Sequence, residues 1–137
     1  MDRRNIVQTL RINGLLKGVK PCVVFLKKNN GDIYLNGMAT FVMSMKNNKL
    51  YFQRLSTFFH DLKPKDDLEL DLSRFESYIH VSRSYYNILC LYAKNRNFIE
   101  INYDKGTPDT FPTEENIGRI IEELNNLGIK ERKNNEW

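Results

Sequence analysis

The feature that most constrains this chain is the order of its periodicities: a long succession of short, strand-like segments gives way to one helical stretch, residues 113–128. Ile117, Ile120, Ile121, Leu124 and Leu127 recur at intervals of three and four and form one apolar stripe, while Glu122, Glu123, Asn125 and Asn126 fall on the other side. Thr113, just after Pro112, can cap the free amides of the first turn, and Glu114 and Glu115 put negative charge at the positive end of the helix dipole. Gly128 suits the left-handed residue that closes a helix, and Lys130, Arg132 and Lys133 follow where positive charge is favoured. Beyond Ile129 the sequence predicts a frayed polar tail ending at Trp137. Gly118 costs about 1 kcal/mol relative to Ala inside a helix; a close approach of helix to sheet would account for it, and so would drift.

Upstream, the grammar is that of strands. Residues 22–28 are rich in strand formers, Asn29-Asn30-Gly31 turns the chain, and 32–36 resume, which predicts a hairpin. Gly37 permits a bend or bulge before 38–45, after which Lys46-Asn47-Asn48 turns into 49–53, a second hairpin. Residues 57–67 crowd Phe58, Phe59 and Leu62 beside His60, Asp61, Lys63 and Pro64 and read as a structured loop. Strands are expected at 68–72, 75–81, 85–93 and 98–103, with a turn at Lys94-Asn95-Arg96-Asn97 and a loop at 104–112 before the helix. The start of the chain fits two periods. Ile6, Val7, Leu10, Leu15, Leu16 and Val19 partly follow a helix stripe, whereas Ile6, Leu10 and Ile12 alternate as a strand ending at the Asn13-Gly14 turn signal; a helix that breaks near Gly14 is the expectation.

At 137 residues the chain is in the single-domain range and could bury about two thirds of its unfolded surface without a disulfide or metal. No repeat, linker or low-complexity tract divides it. Its longest apolar runs are too short to span a bilayer, and Met1-Asp2-Arg3-Arg4 leads into no signal-peptide core, so a soluble cytoplasmic protein is expected. Cys22 and Cys90, far apart in strand-like surroundings, read as reduced core thiols. The abundance of Asn and the scarcity of Ala suit an AT-rich bacterial genome. Residues 1–30 carry seven Lys or Arg against Asp2 alone, a net +6, while 98–137 carry five basic and nine acidic residues, a net −4. Such poles can meet phosphate groups or each other across a subunit contact, or remain simply solvated.

Across residues 37–128 the succession Lys49-Leu50-Tyr51-Phe52, then Leu68-Glu69-Leu70-Asp71-Leu72-Ser73-Arg74-Phe75, then Asn87-Ile88-Leu89-Cys90-Leu91 with Phe98-Ile99-Glu100-Ile101, then the helix, resembles bacterial pleckstrin-homology-like and GRAM-like domains. The resemblance implies a partly open barrel of two roughly orthogonal antiparallel sheets, one end plugged by the C-terminal helix. Ile117, Ile121 and Leu124 would then close the core against Leu50, Phe52, Leu89 and Ile101, with residues 2–20 as an addition. It also implies a binding function, for lipid headgroups or proteins, in place of catalysis. The residues that would meet an anionic headgroup are Lys27 and Lys28 beside Asn29-Asn30-Gly31, with Lys46 and Lys49 around the next turn. The dense strand cations of the lipid-binding members are missing, Tyr34 and Asn36 standing in their place.

Protein interaction has its own physical warrant. In residues 85–93 both alternating sets are apolar: Tyr86, Ile88, Cys90 and Tyr92 on one side, Leu89, Leu91 and Ala93 on the other. Something must cover the second face, either another subunit or the segment 6–16, and Tyr86, Ile88, Leu89 and Leu91 are the candidate contact residues. Catalytic and metal chemistry find little support. His60 and His80 have no second ligand at metal spacing, and His60-Asp61 are neighbours in sequence, which seldom positions a base and its orienter. Ser56 and Ser73 lack a nucleophile elbow, and Asp66, Asp67, Glu69 and Asp71 read as loop and strand-surface carboxylates. No catalytic residue, metal or cofactor is therefore assigned. The runner-up is a flavin-binding split-barrel oxidoreductase, with residues 21–36 as its first strand and hairpin and Arg54, Ser56 and Thr57 as a thin phosphate cluster. A third reading, nucleic-acid binding by the same four lysines with Tyr34 and Tyr51 as stacking platforms, is the least expected.

Overall fold

The computed structural model describes residues 14, 16–29, 39–54, 67–94, 97–104 and 113–132. Its strands are β1 (Val19–Asn29), β2 (Ala39–Lys46), β3 (Lys49–Arg54), β4 (Leu68–Asp71), β5 (Phe75–Ser82), β6 (Tyr86–Ala93), β7 (Phe98–Asp104) and β8 (Lys130–Glu131). Among the described residues one α-helix, α1 (Thr113–Asn126), lies between β7 and β8. All eight strands belong to one sheet in the order β4-β3-β2-β1-β7-β6-β5-β8. Two antiparallel meanders, β1 to β4 and β5 to β7, are joined because β1 pairs with β2 on one side and with β7 on the other. The ladder is not closed between β4 and β5. Those two strands are nonetheless separated only by the 3-10 turn Leu72–Arg74. Since each residue reaches about 3.5 Å at most, the distant ends of the strand order must approach and the sheet must coil.

The coil encloses one core. Alternate residues of β1 (Cys22, Val24, Leu26), β2 (Phe41, Met43, Met45), β3 (Leu50, Phe52), β6 (Leu89, Leu91) and β7 (Ile99, Ile101, Tyr103) face inward and pack with Ile117, Ile120 and Leu124 of α1. The expected closure by the helix stripe therefore holds for Ile117 and Leu124, with Ile121 half-buried at the margin. Leu127 departs from it: it lies past the end of α1 and is 43% exposed. Gly118 is exposed, and a Cβ built there meets nothing within 4 Å, so no close approach to the sheet explains it.

Local chemistry accounts for the ends of these elements. Asn47 and Asn48 both take positive φ, 54° and 62°, which is what a two-residue hairpin turn between β2 and β3 demands. At the end of α1, Gly128 has φ +85° and its N–H donates to Asn125 O (3.0 Å), while Ile129 N–H donates to Leu124 O (2.9 Å). This is a Schellman closure with its hydrophobic contact, Ile129 and Leu124 sharing the core. At the other end Thr113 is the first helical residue and is buried. There the Asn116 Nδ2 donates to Pro21 O (2.9 Å), pinning the first turn to β1.

Several boundaries differ from the sequence expectation. Val19, assigned to a helix stripe, opens β1, and the register shift between Val19 and Cys22 is a bulge containing Lys20 at φ 56° and Pro21. A proline can sit there because the ladder is already interrupted. Asn29, expected in a turn, is the last residue of β1, which pairs with β2 from Val19 to Leu26 and with β7 from Phe25 to Asn29; residues 32–36 lie outside the described residues. The tail after Ile129 is not frayed over its first residues. Lys130 and Glu131 form β8, parallel to β5, and Arg132 N–H donates to Tyr78 O (2.8 Å). Arg132 Nε further donates to Ser77 Oγ (2.6 Å), and its guanidinium lies 4.3 Å from the Tyr92 ring centroid. The expectations for 1–13, 30–38, 55–66, 105–112 and 133–137 lie outside the described residues.

Two glycines make opposite predictions. Gly118→Ala should raise stability by about 1 kcal/mol, read as a higher urea midpoint with an unchanged slope. At Gly18 an added Cβ would stand 2.7 Å from Met45 N and 2.9 Å from Met45 C, both backbone atoms. Gly18→Ala should therefore lower stability by about 1–3 kcal/mol in the same titration.

Candidate functional site

The four lysines of the headgroup expectation are not brought together. Val19 pairs with Met45, so Lys46 and Lys49 lie at the beginning of β1, whereas Lys27 and Lys28 lie near its end, where Lys28 pairs with Glu100. The intervening strand separates the two pairs by on the order of 25 Å. Lys49 is also engaged: its Nζ donates to Glu69 Oε1 at 2.8 Å, and that hydrogen bond raises its pKa. Lys46 is exposed and Tyr51 half-buried on the hairpin, while Tyr34 lies outside the described residues.

The carboxylates of β4 and its approaches serve local structure. Asp71 Oδ1 accepts from Ser73 N (3.0 Å), capping the 3-10 turn and holding the carboxyl below its usual range. Asp67 accepts from Arg54 N (2.9 Å) and pairs with Lys17 Nζ (3.3 Å). Arg54, a residue of the flavin alternative, sits 5.5 Å from the Phe41 ring centroid; Ser56 and Thr57, like His60, Asp61 and Asp66, are outside the described residues. Among the described residues no three His, Cys, Asp or Glu side chains converge on a metal position. A cleft of about 440 Å³ opens beside the C-terminal end of α1, floored by Leu72, Phe75 and Ile129 and rimmed by Glu76 and Lys94. Its Glu76 carboxylate faces Arg132 (3.4 Å).

The contact set drawn from β6 is divided by the sheet. Leu89 and Leu91 point into the core and are fully buried, which removes them from any contact surface. Ile88, Cys90 and Tyr92 occupy the outer face, where Cys90 and Tyr92 form a second apolar cluster with Ile79, flanked by Val81, Ile88 and Phe98. The two-sided apolar pattern of β6 is thus real. Part of its outer cover comes from Arg132 over Tyr92. At the other end of this face the apolar surface is open: Tyr86 is 36% exposed, and Tyr85, in the β5–β6 turn, is 87% exposed. The segment 6–16, the intramolecular cover considered above, lies outside the described residues except for Gly14 and Leu16.

On the inner face a polar cluster stands where the core meets the first turn of α1. His80 Nε2 and the Tyr103 hydroxyl are hydrogen-bonded, their rings stacked at 6.0 Å and 18°. Tyr103 pairs across the ladder with Asn87, whose Nδ2 donates to Glu114 Oε1 (3.5 Å). Burial pushes the Tyr103 phenol up to about 12 despite a hydrogen bond from Asn87. His80 is pulled below its ordinary value, chiefly by desolvation, against the raising effect of Glu131 and Glu114. Cys22, beside this cluster, donates its thiol to Lys20 O (3.4 Å) and Thr113 O (3.9 Å), and burial raises its pKa far above the thiolate range. It is a core thiol with no nucleophilic character. Sequence reasoning took His80 as isolated. Plain alternation from Phe75 would leave His80 on the opposite phase; the register shift between Phe75 and Ser77 brings Tyr78 and His80 to the inner side, where the strand order sets His80 beside Tyr103.

No protein-family model matches the chain, and no curated protein matches it. Among the described residues no helix is long and apolar enough to cross a membrane.

Because His80 binds a proton less readily folded than unfolded, the unfolded chain takes up more protons as pH falls below about 6.5, and stability must decline there. Denaturant midpoints should be level above that pH and fall as it drops through the folded pKa. His80→Gln should remove this component of the slope; an unchanged profile would assign the slope to other groups.

Proposed function

We propose that this protein is a non-enzymatic interaction module of pleckstrin-homology-like architecture, which binds a second copy of itself through the outer face of the β5–β6 hairpin. The four-strand meander, the three-strand meander and the helix packed against β1 support the architecture. One observation carries the function: Tyr86 is exposed on the outer face of β6, in phase with half-buried Ile88, and Tyr85 is exposed beside it in the β5–β6 turn. Exposed tyrosines beside aliphatic residues combine large contact area with a hydroxyl for the rim, the composition of interface centres. Headgroup binding draws less support, since its lysines are split between the two ends of β1.

Native mass spectrometry of gently purified protein, with a visible absorption spectrum on the same sample, tests this reading. A colourless dimer is expected, and replacing Tyr85 and Tyr86 together by Ser should weaken dimerisation at least about tenfold without altering the fold. A monomer that persists at high concentration would defeat the self-association reading, and a yellow sample carrying the mass of a flavin would favour the split-barrel enzyme.

A further inference from the structure

We propose that His80, Tyr103 and Asn87 form a proton-sensitive relay that couples the surface imidazole of β5 to the first turn of α1. The Tyr103 hydroxyl is hydrogen-bonded to His80 Nε2, Asn87 stands directly opposite Tyr103 in the β6–β7 ladder, and Asn87 Nδ2 reaches Glu114 Oε1 on the helix. A hydrogen bond from the Asn87 amide to the phenol joins the two halves and lowers the phenol's pKa against the effect of burial. Asn87 is 7% exposed, and its Oδ1 is buried without a hydrogen-bond partner. A buried acceptor left unsatisfied is costly, and it marks Asn87 as a residue with an unused second arrangement.

With His80 neutral, Nε2 accepts the Tyr103 O–H and the ring proton sits on Nδ1. The phenol oxygen is then free to accept from Asn87 Nδ2, whose other hydrogen points to Glu114. When His80 takes a proton from solvent, Nε2 becomes a donor, and the phenol oxygen faces N–H groups from both neighbours. Its own hydrogen has lost its acceptor. Turning the Asn87 amide resolves the conflict, because Oδ1 then accepts the phenol O–H; the same turn withdraws Nδ2 from Glu114 and brings a carbonyl oxygen towards that carboxylate. The charge change on β5 is thereby converted into loss of a contact at the helix start.

Two carboxylates face His80, Glu114 on α1 and Glu131 on β8, and both favour its protonated form, while burial keeps Tyr103 on β7 and Cys22 on β1 protonated. The Asn116 bond to Pro21 O is independent of the relay, so the helix loosens at its first turn and remains docked.

Two-dimensional NMR between pH 5 and 8 tests the relay by following the His80 ring protons and the backbone amides of residues 114–117. In the native protein the helix amides should titrate with the apparent pKa of His80. In Tyr103→Phe, which keeps the ring, His80 should still titrate while the helix amides lose that transition; in His80→Gln they should be flat. Helix amides that are flat in the native protein, or that titrate identically in Tyr103→Phe, would overturn the relay.

Discussion

Everything in this fold depends on β1 having two partners. Along Phe25 and Leu26 it pairs with β2 and β7 at once, and that shared stretch is what makes two meanders into one sheet. The same strand holds the helix. Its bulge near Pro21 turns a carbonyl out of the ladder to accept from Asn116, and the neighbouring Cys22 thiol reaches Thr113 O in the first turn of α1. A proline in a central strand is ordinarily a defect, because it has no N–H to donate. Here the missing donor falls at an irregularity whose freed acceptor anchors another element, so the bulge positions the helix over the core.

The second constraint is the two-sided apolar character of β6. Leu89 and Leu91 face the core, and Cys90 and Tyr92 face outward, so a single layer of helix could never satisfy the strand. The C-terminal segment supplies part of the answer. Schellman closure at Gly128 reverses the chain, β8 adds to the edge of β5, and Arg132 lies over Tyr92 while bonding Ser77. Two residues of parallel ladder are a weak strand by themselves. The guanidinium, which spreads its charge over an aromatic face and donates to the hydroxyl of buried Ser77, makes the segment worth ordering.

Much of this was legible in the sequence where local chemistry decides the outcome. The α1 stripe up to Leu124, the Gly128 closure and the Asn47-Asn48 turn each follow from a few neighbouring residues, and each is found where it was expected; Leu127 is the exception. Legibility failed where long-range pairing decides. Val19 carries a helix-compatible period but joins β1 because Met45 lies opposite, and Lys130–Glu131 has the composition of a tail but becomes a strand because the edge of β5 is available. The candidate site shows the same division. Alternation identified both faces of β6, yet the separation of Lys27 and Lys28 from Lys46 and Lys49, and the meeting of His80 with Tyr103, depend on strand order, which no local pattern encodes.

Among the described residues, the polar groups around α1 are committed to holding the fold. Reactive groups need pKa values near the working pH, and the two buried proton donors beside α1, Cys22 and Tyr103, are both shifted upward, away from it. Glu69, Asp67 and Asp71 are each committed to a lysine or a backbone amide. His80 is held below its ordinary value chiefly by desolvation, and its described partner is a phenol that leads back into the fold. Proton binding at that site therefore changes how the helix start is held, while the tyrosines of the β5–β6 turn remain at the surface with no described structural task. Packing determines the first property and exposure the second, so a partner seated on the hairpin and a proton bound at His80 would act on opposite faces of the same strands.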